Sequence, residues 1–377
     1  MGGSFKVGRF LGFEINLHWS WSLIFVLVTW TFAEGVLKEF YPEWDGLQRW
    51  LIGAVVSIVF FLSILFHEVS HSIVARHYGL PVSGITLFVF GGVSGLGKEP
   101  ADAKQEFWIA IVGPLTSIAL AGLFGVGYFA LDSIDDGASG VSGHLALINL
   151  AIGIFNLVPG FPLDGGRVLR SIFWWRNRNL LDATKIASRA GQGVAYLLMG
   201  LGVPAFLFYS PITGVWLFLI GNFLRGTSAA SYEQLFIETV LRGVPASRLA
   251  RPDFVAVAPD LKVSELIEDH VLAGQGRCYP VMAGEEILGL VTLTDARQVP
   301  RDEWPTTSVY RAMTPLTQLK TVGPRDDLED VLRLMAGNDI NQVPLVDGRL
   351  LIGLIHRGDI IRYIQVREEV GPTASKA

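Results

Sequence analysis

The chain has 377 residues, half of them hydrophobic and only 17 % charged, with a mean hydropathy of +0.42. A net charge of −5 gives no reason to expect nucleic acid. The single Cys278 excludes an intramolecular disulfide framework and any cysteine-rich metal site. Gly 42 and Trp 10 suit a membrane protein, in which small residues pack helices and Trp marks interfaces.

The opening "MGGSFKVGRFLGFEINLHW" lacks the ordered charged, apolar and small-residue regions of a secretory signal, so no removable leader is expected. Apolar runs near spanning length then recur at roughly 17–36, 51–77, 106–131, 143–158, 192–209 and 211–225. The fourth and the last two are short for a bilayer about 30 Å thick, which is tolerable for a segment that ends inside protein. Between the second and third runs, "GITLFVFGGVSGL" (84–96) is β-rich and broken by glycine, which predicts a hairpin or edge strand. Six spans place Lys6, Arg9, Arg76, Lys98, Lys104, Arg167, Arg170, Arg176, Arg178, Lys185, Arg189 and Arg225 on one side. Lys38, Arg49 and the acidic "DSIDDG" (132–137) fall on the other. The positive-inside rule then puts both termini in the cytoplasm.

The second run contains "LSILFHEVSHSIVARH" (62–77), where His67 and His71 share one face of a helix. Glu68 lies about 100° round from His67, able to reach water held by a metal without being a ligand. This H-E-x-x-H spacing is that of zinc peptidases, with two imidazoles on Zn²⁺ and a glutamate base. Ionisable groups inside a spanning helix are costly when unpaired and mark function. Two histidines leave a catalytic zinc one protein ligand short, and Asp164 in "NLVPGFPLDGGRVL" (156–169) is the best donor. Pro159 and Pro162 stop helix continuation there, while Gly165 and Gly166 permit tight turns. Two other roles stay open for Asp164: capping a helix that starts near Gly165, or pairing with Arg167. Trp174 and Trp175, flanked by Arg170, Arg176 and Arg178, read as a helix on the membrane surface. Arg76 and His77 read as caps of the second spanning helix, and His18 as an interfacial residue.

After about residue 230 the composition becomes that of a soluble domain. "RCYPVMAGEEILGLVTLTDARQVP" (277–300) aligns without gaps to "NQVPLVDGRLLIGLIHRGDIIRYI" (341–364). Each copy reads as strand, glycine turn, strand and helix start, preceded by a helix-like segment. One unit alone could not bury its apolar face, so the two should pack together.

"HEVSH" in a spanning segment, with "NLVPGFPLDGG" further on, resembles the site-2 protease family of intramembrane zinc metalloproteases. "GPLTS" (113–117) and the glycine hairpin are similar to the family as well. The resemblance implies His67, His71 and Asp164 as ligands of one zinc, Glu68 as general base, and Asn156 as a residue that positions or polarises the substrate peptide. It further implies a single-pass membrane-protein substrate. A transmembrane helix is protected by its own hydrogen bonds and must be locally unfolded to be cut, so strand 85–90 is expected to pair with the unwound segment. The C-terminal repeats resemble a tandem cystathionine-β-synthase (CBS) module, which implies adenine nucleotide (ATP, ADP or AMP) held at Thr292, Asp295 and Asp359, and a homodimer through the module. His356 stands where Thr292 stands in the first repeat, a departure from the pattern, and the competing reading is a module that binds no nucleotide and serves only as a dimerisation or docking surface. The competing class is a transporter or channel with a CBS module, which should show duplicated membrane halves; residues 1–225 show none.

The expected fold is therefore a polytopic α-helical membrane domain of about six spans with a small β-hairpin, followed by a soluble α/β tandem CBS domain. The expected divisions are 1–228 (core 51–170), a linker at 229–243, CBS repeats at 244–301 and 311–366 within 244–370, and a disordered tail at 371–377. The expected setting is a prokaryotic cell membrane.

Overall fold

The computed structural model describes residues 3–89, 91–274, 276 and 278–370 and divides into two compact units, Met1–Glu233 and Gln234–Ala377. The tail expected at 371–377 lies outside the described residues.

The first unit begins with two strands, β1 (Ser4–Phe10) and β2 (Phe13–His18), joined through Leu11 and Gly12 with φ of 49° and 88°. Both turn residues are left-handed, as a two-residue hairpin turn of type I′ requires. Arg76 holds this turn: its Nη1 donates to the Leu11 carbonyl at 2.9 Å and its guanidinium lies 4.4 Å from the Phe13 ring centre. Arg76 thus ties the hairpin to a helix end rather than merely capping it.

Helices α1 (Ser20–Thr31) and α2 (Leu37–Phe40) are continuous through a π turn at Phe32–Val36, and α3 (Gly46–His77) follows. Asp45 and Gln48 form a capping box at the start of α3. Its 32 residues span about 48 Å, longer than the bilayer core. Strands β3 (Val82–Phe88) and β4 (Gly91–Leu96) pair antiparallel, and β3 also pairs parallel with β2, Ile15 opposite Ile85. The expected hairpin is therefore half of a four-stranded sheet, ordered β1-β2-β3-β4. The N-terminal strands escaped notice because "FEINLH" shows only a short alternation beside a long apolar run. Phe13, Ile15, Ile85 and Leu87 bury the inner face of the sheet against Val69, which lies between His67 and His71. The sheet therefore braces the turn of α3 that carries the histidines.

The remaining helices are α4 (Ala103–Leu131), α5 (Asp136–Asn156), α6 (Asp164–Asn177), α7 (Leu180–Phe208) and α8 (Pro211–Leu241). Asp102, Asp135 and Asn179 cap α4, α5 and α7 through their side chains. Among the described residues, five helical segments are long and apolar enough to cross a membrane: Ser20–Phe40, α3, α4, α5 and α7. The sixth expected span falls in α8, a 31-residue helix whose apolar run is interrupted by Asn222 and Arg225. It packs antiparallel on α7 through small residues: a Cβ on Gly202 would lie 3.0 Å from the Gly214 carbonyl, and one on Gly221 2.7 Å from that of Ala195. Most of the segment expected as a linker, 229–243, is the helical end of α8.

In the second unit, β5 (Cys278–Ala283) and β6 (Glu286–Thr292) form one hairpin, β8 (Gln342–Asp347) and β9 (Leu350–His356) the other. The registers are superimposable, Cys278 opposite Thr292 and Gln342 opposite His356, and the irregularity recurs at Val281/Met282 and Leu345/Val346. The sheet order is β5-β6-β9-β8, with β7 (Thr314–Pro315) added to β6. Short helices α9 (Val263–Glu265), α10 (Leu293–Gln298) and α11 (Val309–Ala312) belong to the first repeat's surroundings, α12 (Leu328–Gly337) and α13 (Arg357–Val370) to the second. Ile287 and Leu290 of one hairpin bury against Leu351 and Leu354 of the other, the shared core neither repeat could make alone.

Candidate metal centre

Helix α3 presents His67 and His71 from consecutive turns, both 5 % exposed. Asp164 arrives as the first residue of α6, delivered by the loop after Asn156. Its Oδ2 lies 3.1 Å from His67 Nε2 and 3.2 Å from His71 Nε2, and the two Nε2 atoms are 3.2 Å apart. Four ligands at zinc bond lengths form a tetrahedron with edges of about 3.3 Å. The observed triangle matches one face of that tetrahedron, and its donors, two imidazoles and a carboxylate, suit zinc. Arg167 does not claim Asp164; its Nε approaches Glu106 at 3.8 Å instead.

The ring orientations follow from α4. His71 Nδ1 is 2.5 Å from the Ile109 carbonyl, which can only accept, so the Nδ1 proton points there and Nε2 is the nitrogen turned toward Asp164. His67 Nδ1 lies 2.9 Å from Ser117 Oγ. Gly113, on the same face of α4, leaves the space the rings occupy: a Cβ there would sit 2.1 Å from His71 Nε2 and 2.7 Å from His67 Nε2. A Cβ on Gly92 of β4 would meet Glu68 Cγ at 2.4 Å.

Beside the triangle opens a cavity of about 610 Å³ lined by His67, Glu68, Asn156 and Asp164, with Gly92 and Val93 of β4 on one wall and Phe223 and Thr227 of α8 on another. The chain therefore brings together all five residues singled out in its two membrane motifs. Sequence reasoning missed Ser117, Gly113, Gly92 and the α8 wall. "GPLTS" was a signal for the first two, but nothing in a sequence says which side of α4 faces α3. The edge strand needs correction too. Strand β3 is paired on both sides, and of the two end strands, β1 and β4, it is β4 that lines the cavity. Of the segment 85–90, residue 90 lies outside the described residues.

Residues 55–133 and 131–200 match peptidase family M50, and 309–366 match the CBS domain. Rip3 of Mycobacterium tuberculosis, a protein named as a zinc metalloprotease, is 35 % identical over 97 % of this chain and 94 % of its own length. The chain belongs to peptidase family M50. Zinc metalloprotease MJ0392 of Methanocaldococcus jannaschii is 27 % identical over 98 % of each chain. The solved site-2 protease of the same archaeon is 28 % identical over 61 % of this chain and 95 % of its own, with a TM-score of 0.42. This M50 peptidase is a multi-pass intramembrane zinc metalloprotease with a C-terminal CBS domain, and the transporter alternative is set aside.

In the CBS domain of the M50 peptidase, Thr292 and Asp295 cap α10 reciprocally: Thr292 Oγ1 donates to Asp295 Oδ2 at 2.7 Å, and Asp295 N donates back to Oγ1 at 3.2 Å. Asp359 is held differently, in an ion pair with Arg251. Burial pushes the neighbouring His356 imidazole below its usual range. The two repeats share a backbone but not a site chemistry.

Proposed function

We propose that this M50 peptidase hydrolyses a peptide bond in the membrane-spanning segment of a membrane-protein substrate, with His67, His71 and Asp164 as the ligands of one zinc. The observation that carries this is the triangle of donor atoms beside a cavity that Glu68 and Asn156 also line. Bound zinc supplies Lewis acidity, making water a nucleophile near neutral pH and polarising a carbonyl. Glu68 would accept a proton from the attacking water and pass it to the leaving amine. Asn156 donates to the oxygen on which charge develops. A transmembrane helix must unwind before it can be cut, and the free edge of β4 offers its backbone groups to the unwound segment.

Both termini on the cytoplasmic side require α8 to cross as a sixth span, which its antiparallel packing on α7 supports. The proteolytic domain is taken as 1–228 and the CBS domain as 244–370. Adenine nucleotide binds at Thr292 and Asp295, where a hydroxyl and a carboxylate occur together, rather than at Asp359, beside which His356 takes the hydroxyl's place. The CBS domain modulates cleavage in response to the nucleotide it holds. The CBS domain also provides a surface for homodimerisation.

Metal analysis of the purified protein tests the zinc ligands: about one zinc per chain is expected, lost in His67→Ala and in Asp164→Ala. Retention in both variants would sink the ligand assignment. Titration calorimetry of the full chain with ATP, ADP and AMP tests the nucleotide site. Heat with at least one nucleotide is expected, abolished by Asp295→Ala but not by Asp359→Ala; no heat with any of the three leaves the domain a docking surface.

A further inference from the structure

One face of α4 runs along the whole metal centre. Its buried positions include Glu106, Ile109, Gly113 and Ser117. The last three orient or seat the two histidines, as described above. Glu106, one turn before Ile109, reaches across to α6 and accepts from Arg170 Nε at 2.6 Å, with Arg170 Nη2 on the same oxygen. Glu106 is wholly buried and Arg170 is 6 % exposed. The Arg170 guanidinium also lies 5.2 Å from the ring centre of Phe161, in the loop that leads to Asp164. A single side chain thus grips α4 by charge and the ligand-bearing loop by its aromatic ring.

We propose that Glu106 and Arg170 are a positioning pair for the third zinc ligand, setting the slide and rotation of α6 so that Asp164 meets His67 and His71. This rests on the zinc assignment above. Asp164 and Arg170 are six residues apart on α6, about 9 Å along its axis, so the two contacts define the helix at two points. With Asp164 alone, α6 could turn about its first residue. The ion pair removes that freedom. A buried carboxylate and guanidinium are costly to desolvate, and two apolar residues could join α4 to α6 without that cost. Directional hydrogen bonds fix orientation where apolar packing tolerates sliding. Outer partners of this kind typically change metal affinity by about 10–100-fold.

The test is zinc retention by folded protein in detergent, challenged with a chelator. Glu106→Gln should release zinc on the order of 10–100-fold faster than wild type. Excess zinc should restore its cleavage, and should do nothing for Glu68→Gln. Glu99→Gln, which touches Arg170 at 3.7 Å from an exposed position, should behave as wild type. Because Glu106→Gln leaves Arg170 unpaired and could fold poorly, the double variant Glu106→Gln/Arg170→Met removes both charges and carries the same expectation. Wild-type zinc retention in either folded variant overturns the proposal. Should neither fold, Arg170→Lys decides: its charge survives without the fork geometry, and wild-type retention there is equally fatal. His67→Ala is the control for the zinc assignment itself. If that variant keeps its zinc, the assignment has failed; if only the Glu106 variants keep theirs, the positioning role alone has.

Discussion

Glu68→Gln retains one zinc per chain and loses cleavage of a model transmembrane substrate by on the order of 10²–10⁴-fold. The substitution preserves size and the contact with Gly92, where even a Cβ would meet Glu68 Cγ at 2.4 Å. What it removes is the ability to accept a proton. Glu68 lines the cavity but is not one of the three atoms of the metal triangle, so metal content should be untouched. Metal analysis and a gel-based cleavage assay on the same preparation separate the two effects. Full activity in the folded, zinc-loaded variant would remove Glu68 from the mechanism.

Gly113→Ala is expected to be nearly as damaging, through space rather than chemistry. The added Cβ would lie 2.1 Å from His71 Nε2, far inside van der Waals contact, and 2.7 Å from His67 Nε2. Neither ring can retreat easily, since His71 Nδ1 is held by the Ile109 carbonyl and His67 Nδ1 by Ser117. Overpacking of this kind costs about 1–3 kcal/mol, and here the strain falls on the two histidines proposed as zinc ligands. Zinc content should drop below about one tenth of wild type, with activity following it. Gly122→Ala in the same helix, where a Cβ would meet nothing within 4 Å, is the matched control and should keep both. A zinc-loaded, active Gly113→Ala protein would mean that α4 does not pack against the histidines in this way.

The two membrane motifs were legible because their chemistry is local or tied to rare residue types. H-E-x-x-H declares itself by helical periodicity, and Asp164 stands out as an acid beside prolines and glycines at the end of an apolar run. The CBS pair was legible as an ungapped repeat, and its matching strand registers follow from that repeat. The helix ends were less readable. Helix α5 starts at Asp136, seven residues before the apolar run at 143, because Gly137, Ser139 and Gly140 carry no hydropathy signal while Asp135 caps the helix. The strands β1 and β2 were missed for a related reason: a single short alternation cannot reveal a parallel partner seventy residues on.

By itself the sequence determined the residue types of the candidate metal centre, the two-part architecture and the duplication of the C-terminal domain, since each is written in periodicity, composition or repetition along one chain. Only the tertiary structure decided that Asp164 faces the histidines rather than Arg167, that β4 is the end strand beside the cavity, and that Glu106, Gly113 and Ser117 share the face of α4 that serves the site. Those are questions of which helix face meets which neighbour. A hydrophobic stripe cannot answer them in a membrane, where lipid and protein reward the same apolar side chains. The deciding contacts are short-range and polar, made between residues up to 97 positions apart, and they exist only once the helices have packed.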